Sequence, residues 1–336
     1  MTTAFTTAST LAFDEALAAL AALGTGEPAS DREFRCLARA LHPDAAPPGR
    51  RDEATAAFAR LTAARRRHRP VLTTGRHSYT LGATFTTGDL TTLRHATYDD
   101  EGTSCEVLLK IPLDPADNDL THREARALTT LATTADPRHR AYAPTLVESF
   151  RHRDEGGTER RVNVLRPLTG FRTLAEVEVA YPGGVDPRDA AWMWRRLLVA
   201  LGWAHRAGLV HGAVLPEHVL IHPERHGLVL VDWCYATAVG ETVPALVSRH
   251  RDLYPPEVPG RRPATPATDL HLASTCVARL TRDLAPRPMR AFLRGCLLPA
   301  EARRPHDAWR LLAELDDLLD RLYGPRVFRP FHLPAA

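Results

Sequence analysis

The sequence predicts an α+β protein: a small all-α helical hairpin followed by a larger two-lobed domain in which strands come first and helices after. Three observations predict it. Apolar residues recur at helical spacing between residues 29 and 69. Short β-type runs dominate residues 79–165, and from residue 189 onward long apolar stripes are again helical. A length of 336 residues leaves room for about two domains and at least one large core.

A first helix is expected over roughly 14–23. Phe34, Leu37, Ala38 and Leu41 then mark a second, and Ala54, Ala57, Phe58 and Leu61 a third. Ser30 with Glu33 three residues on reads as a capping box that starts the second helix. Pro43 helps to end it, because proline disfavours helical backbone at His42, and Pro47, Pro48 and Gly49 are loop chemistry. The helical module is assigned to residues 10–69 and a linker to 70–76.

The second domain, residues 77–325, opens with strand-like runs at 79–85, 105–111, 145–150 and 162–165. Met193, Leu197, Ala200 and Leu201 make one helical stripe, and Leu311, Leu315, Leu318 and Leu322 belong to another. Two more short strands fall near 219–221 and 228–231, and residues 326–336 read as a C-terminal tail. The chain shows no internal repeat and no low-complexity tract.

Composition excludes several classes. Lys plus Arg number 43 against 40 Asp plus Glu, a formal charge of +3 spread along the chain, which is not the footprint of a nucleic-acid binder. Hydrophobic content of 44% and charged content of 25% suit an ordinary folded chain. The five cysteines are scattered and include no Cys-x-x-Cys pair, so a reducing cytoplasm is expected rather than a zinc or disulfide framework. The amino terminus has no basic segment ahead of an apolar run, and the longest apolar region is broken by Asp14 and Glu15, so neither an export signal nor a membrane partner is expected. All but one of the 43 strongly basic residues are arginine; Lys110 is the single lysine.

On a helical wheel Arg32, Arg35 and Arg39 lie opposite Phe34, Leu37 and Leu41, which gives the second helix a basic stripe. That helix runs straight into His42-Pro43-Asp44, and the next helix returns with its own apolar face. In these features the stretch from Phe13 to Arg69 resembles a J-domain. The resemblance implies contact with a DnaK-type chaperone, and stimulation of its ATP hydrolysis, through His42, Pro43, Asp44, Arg35 and Arg39. A proline-stiffened turn and arginines that steer toward an acidic partner suit such weak, salt-sensitive binding. The alternative is that Asp44 serves local backbone donors and the arginines form a solvated face. The zinc-binding and Gly/Phe-rich regions of larger DnaJ proteins are absent. The run Arg65 to Arg69 closes a helix, where positive charge complements the dipole.

From Tyr79 to about Arg304 the order of features resembles a protein kinase domain. Lys110 in Val107-Leu108-Leu109-Lys110-Ile111 matches the strand lysine that contacts nucleotide phosphates, and Glu124 matches its helix partner. The glycine loop is poor: Gly82 and Gly88 are present, but Thr91 stands where a third glycine is expected and Asp89 adds negative charge, so a plain β-turn is the better reading. The stretch from His211 to Leu220 aligns with the catalytic loop, yet Ala213 replaces the catalytic aspartate, Leu215 the assisting lysine and His218 the metal-binding asparagine. Alanine accepts no proton, leucine neutralises no phosphate, and imidazole suits magnesium poorly.

Asp232 in Val231-Asp232-Trp233-Cys234 takes the magnesium-binding position, and Glu257, Asp269 and Arg304 match scaffold positions of the family. ATP and magnesium are thus possible cofactors through Lys110, Glu124 and Asp232; His218 with Asp232 would alternatively suit a softer metal. No phosphorylation site stands out over 236–253. The expected function is a cytoplasmic J-domain co-chaperone or adaptor with a degenerate kinase-like domain (a pseudokinase) that recognises an unknown protein target. The alternatives are an atypical phosphotransferase that uses Asp232 with Glu217 or His218, or a purely structural hub.

Overall fold

Apolar residues at helical spacing build three helices at the start of the chain: α1 (Phe13–Leu23), α2 (Asp31–Ala40) and α3 (Arg51–Arg67). The computed structural model describes residues 12–24, 31–67, 70–154 and 156–334. Ser30, read as a helix cap, lies outside the described residues, as do His68 and Arg69 of the basic run and the side chains of Arg32 and Arg65 to Arg67. The chain divides into two compact units, Met1–Gly82 and Ala83–Ala336.

In the first unit Phe13, Leu20, Leu37, Leu41, Ala57 and Leu61 are buried together in one small core. Arg50 joins α1 to the start of α3: its guanidinium pairs with Asp14 at 2.6 Å and Glu53 at 2.7 Å and lies over the Phe13 ring. Segment 70–76, expected as linker, instead carries strand β1 (Val71–Thr73), which pairs antiparallel with the beginning of β2 (Ser78–Thr87). A linker reading fails there because Leu72 is buried.

The second unit begins with a sheet. Strands β3 (Thr91–Asp100), β4 (Thr103–Pro112), β5 (Leu146–Arg153) and β6 (Glu159–Leu165) follow the order β3-β4-β6-β5, all antiparallel. Helix α4 (Asn118–Thr133) lies between β4 and β5 in the chain and turns Leu120, Leu128 and Leu131 into the core. Strand β3 has no counterpart among the sequence expectations; only Ala96 and Tyr98 of its ten residues are buried.

The remainder is mainly helical. Strand β7 (Arg172–Thr173) leads into α5 (Leu174–Ala180), capped by a reciprocal Thr173–Glu176 box. Helix α6 (Pro187–Arg206) starts at an Asp186 cap with proline in its first turn and is buried on most of its circumference, with Trp194, Met193 and Leu197 at the centre. Short strands β8 (Leu209–Val210), β9 (Val219–His222), β10 (Gly227–Leu230) and β11 (Thr237–Ala238) follow. Helices α7 (Pro266–Thr281), α8 (Arg287–Cys296) and α9 (Ala308–Tyr323) complete the helical half.

The tail does not hang free. Phe331 is buried and stacks on Tyr181 at 5.7 Å, the Tyr181 hydroxyl donates to the His332 carbonyl, and Arg329 pairs with Asp186 at 3.2 Å. Among the described residues all five cysteines are free, and no helix is long and apolar enough to cross a membrane.

Candidate functional site

Alternation along β4 buries Val107 and Leu109 in the sheet's core and turns Lys110 the other way, toward α4 and the segment after β10. There Lys110 Nζ donates to Glu124 Oε1 at 2.8 Å and to Asp232 Oδ1 at 2.5 Å, with Cys234 Sγ 3.3 Å away. Lys110, Glu124 and Asp232, singled out in the sequence, thus meet at one point. Burial disfavours the ammonium, but the Asp232 and Glu124 carboxylates outweigh it and hold the lysine pKa well above its usual value. Burial, with the Glu124 charge beside it, pushes the Cys234 thiol well up, so the sulfur is a neutral, unreactive neighbour.

Two residues near this point escape sequence reasoning. Asn163 sits opposite Lys110 in the β4–β6 register, and its amide donates to Glu124 Oε2 at 3.0 Å and to the Thr121 carbonyl at 2.9 Å. Glu124 is therefore held from both oxygens. Cys234 stands two residues after Asp232 in the sequence, and nothing in that spacing announces its contact to Lys110. Cross-strand register was the missing signal for Asn163, and nothing local in the sequence supplies it.

Asp232 adopts left-handed backbone, φ 66°, which is uncommon outside glycine. Its second oxygen, Oδ2, faces His218 Nε2 at 3.1 Å, while His218 Nδ1 lies 2.8 Å from the Ala213 carbonyl. The Ala213 carbonyl only accepts, so Nδ1 donates to it. Burial disfavours a charged ring, but the Asp232 carboxylate prevails and raises the His218 pKa. Burial likewise opposes the Asp232 charge, and Lys110 with His218 overcomes it, leaving the carboxyl well below its ordinary range.

The loop from His211 to His218 is braced by Asp269. Its Oδ2 accepts from the His211 backbone N–H at 2.8 Å and lies 2.9 Å from His205 Nε2; its Oδ1 accepts from Gly212 N–H at 2.9 Å. Gly212 has φ 76°, and a Cβ there would sit 2.8 Å from the Tyr235 carbonyl, so the turn demands glycine. His211 donates from Nε2 to the Val231 carbonyl at 3.0 Å and accepts the Ala213 N–H at Nδ1; burial pushes its pKa down to about 4. Ala213 and Leu215 are fully buried. Glu257 and Arg304 form a buried bidentate pair at 2.8 and 2.7 Å, joined by the Thr268 hydroxyl.

Glu217, a candidate for unusual acid–base work, lies 2.7 Å from His250 Nε2 and 3.7 Å from Arg249, and Arg249 also pairs closely with Asp89 in the turn after β2. That turn is closed by Gly88 N–H donating to the Thr91 carbonyl at 2.9 Å. It is a β-turn whose one acid is committed to arginine, with no triple-glycine cradle.

The donor set fits magnesium poorly. Magnesium asks for oxygen ligands at roughly 2.0–2.1 Å in near-octahedral geometry. Here one Asp232 oxygen faces the Lys110 ammonium and the other the His218 ring.

In the first unit His42, Pro43 and Asp44 lie in a short turn between α2 and α3, with Arg35 and Arg39 exposed on α2. The capping role falls to His42, whose Nδ1 accepts the Asp44 N–H at 3.2 Å and whose ring packs edge-on against Phe58. Asp44 is exposed and bonds Arg51 at 3.1 Å.

No family model matches the sequence, and no curated protein matches it. Among solved structures, one described as the structure of vaccinia related kinase 3 aligns with a TM-score of 0.57 at 15% identity, covering 75% of this chain and 90% of that one. This likeness offers no support for a J-domain. What it carries is the fold: the chain contains a protein-kinase-like two-lobed fold.

Proposed function

We propose that the kinase-like fold of this protein serves recognition and carries out no phosphoryl transfer. The observation that carries the reading is the state of the catalytic loop: Ala213 offers no acceptor where the base would be, and Asp232 is bonded through both oxygens to Lys110 and His218. Phosphoryl transfer depends on positioning and electrostatic stabilisation, and loss of a base alone costs about 10²- to 10⁴-fold. The test is labelled-ATP transfer to itself and to general acceptors by purified protein. Incorporation no greater than in Asp232→Ala is expected; robust incorporation that disappears in both Lys110→Ala and Asp232→Ala would overturn the reading.

A second reading, an atypical ATP-dependent phosphotransferase, draws on the retained Lys110, Glu124 and Asp232, with Lys110 paired to Glu124 at 2.8 Å and to Asp232 at 2.5 Å. The same transfer assay decides between the two.

The proposal extends to the first unit as a J-domain that brings a DnaK-type chaperone to a protein target recognised by the kinase-like lobes. Its support is the sequence His42-Pro43-Asp44 in a turn between two helices, with exposed Arg35 and Arg39 on the preceding helix. Stimulation of a DnaK-type ATPase by the full chain, abolished in Asp44→Asn, is the expected result. Equal stimulation by both proteins, or none by either, removes the chaperone part and leaves the kinase-like part standing.

A further inference from the structure

Glu124, Asp232 and Cys234 each offer a ligand atom, and the three atoms lie within 4.8 Å of one another, a spacing that would suit a metal ion. The middle of that cluster is taken. Lys110 Nζ is 2.8 Å from Glu124 Oε1, 2.5 Å from Asp232 Oδ1 and 3.3 Å from Cys234 Sγ. On the far side of Asp232 the His218 ring, fixed by the Ala213 carbonyl, faces Oδ2 at 3.1 Å. A divalent ion brought to Oδ1 would meet the Lys110 ammonium, and like charges in a buried cluster repel strongly, while at Oδ2 the His218 ring already stands at 3.1 Å. The neutral thiol adds nothing, because only a thiolate is a good metal ligand.

We propose that the Lys110 and His218 side chains, one against each Asp232 oxygen, take the place of the divalent cation of a kinase cleft, so that Asp232 joins the sheet half to the helical half through side chains alone and the cleft coordinates no metal. Lys110 comes from β4 in the sheet half and His218 from the loop in the helical half, so Asp232 bridges the two. A second ionic bridge, from Asp89 through Arg249 to Glu217, spans the same two halves at the rim. This inference deepens the recognition reading and rests on it: a fold that does no transfer has no need of the metal, and one joined by its own charges stays assembled without ligand.

The test is thermal unfolding of the full chain in EDTA, in magnesium alone and in manganese alone, beside His218→Asn. Asparagine frees Asp232 Oδ2 and sets an amide oxygen close to it. The wild type is expected to melt at one temperature in all three conditions, whereas His218→Asn gains a metal-dependent rise of roughly a few degrees. A metal-dependent rise in the wild type that disappears in Asp232→Asn overturns the proposal. Absence of a rise in both wild type and His218→Asn overturns the assignment of His218 as the group that stands in the metal's place. Should His218→Asn fail to fold, His218→Gln and manganese-induced water-proton relaxation of the wild type give the same decision. Metal binding without phosphoryl transfer would sink this inference and spare the recognition reading; transfer in a metal-insensitive cleft would do the reverse.

Discussion

Arg304 and Glu257 show how much a single buried charge can carry. Both side chains are inaccessible to water, and burial raises the Glu257 carboxyl while the Arg304 hydrogen bonds more than compensate, leaving its pKa below the ordinary value. Removing one partner strands the other, so Arg304→Ala should cost about 3–5 kcal/mol in denaturant unfolding; a loss under about 1 kcal/mol would contradict the pairing. His211 and His271 predict an acid-sensitive fold. Burial lowers each from 6.5 to about 4. Between those values the unfolded chain binds more protons than the folded one, so this contribution is fully present above about pH 6.5 and is lost as pH falls toward 4. The melting temperature should fall across that window, and less steeply in His271→Gln; equal slopes in both proteins would refute the assignment. At this scale the residues read as Lys110, Glu124 and Asp232 were legible because motif order carries them. Asn163 was not, because its contact to Glu124 depends on strand register, and the locking of Asp232 by His218 was not, because it depends on which way an imidazole ring faces.

Helix α6 organises the helical half, and its packing on α9 turns on one small residue. A Cβ at Gly202 would lie 2.6 Å from Trp309 Nε1 and 2.8 Å from Cε2, both parts of a rigid ring. Alanine is the better helix former by about 1 kcal/mol, so propensity alone favours Gly202→Ala. Overpacking opposes it, and the expected net effect is a loss of about 1–3 kcal/mol, measured by urea unfolding; a more stable variant would show that α9 yields freely. In the first unit Leu61 is fully buried on α3, and Leu61→Ala should weaken that small core by about 2–5 kcal/mol, read as loss of helical signal. Elements with strong apolar stripes, such as α6 and α9, were visible in the sequence. Strand β3 was not: most of its residues are partly or fully exposed and polar, and its place comes from ten-residue pairing with β4. Strand β1 escaped for a similar reason, since one buried leucine is too little pattern to mark a strand.

For the whole molecule, lost chemistry and kept architecture point the same way. The Asp269 contacts to His211 and Gly212 and the Glu257–Arg304 pair are formed, while Ala213 and Leu215, read in the sequence as lost reacting groups, are fully buried and His218 faces Asp232. ATP added with magnesium should therefore raise the melting temperature no more than ATP with EDTA; a rise confined to the magnesium sample would show that metal-nucleotide still binds. The amino-acid sequence by itself determined the order of helices, strands and helices, and that residue 213 is an alanine with no proton acceptor, because periodicity and residue identity are local properties. Only the tertiary structure decided that Asp232 meets Lys110 at one oxygen and His218 at the other. That depends on bringing Lys110, His218 and Asp232 together from three separate segments, and on the direction of a ring and a carboxylate that no spacing in the chain records.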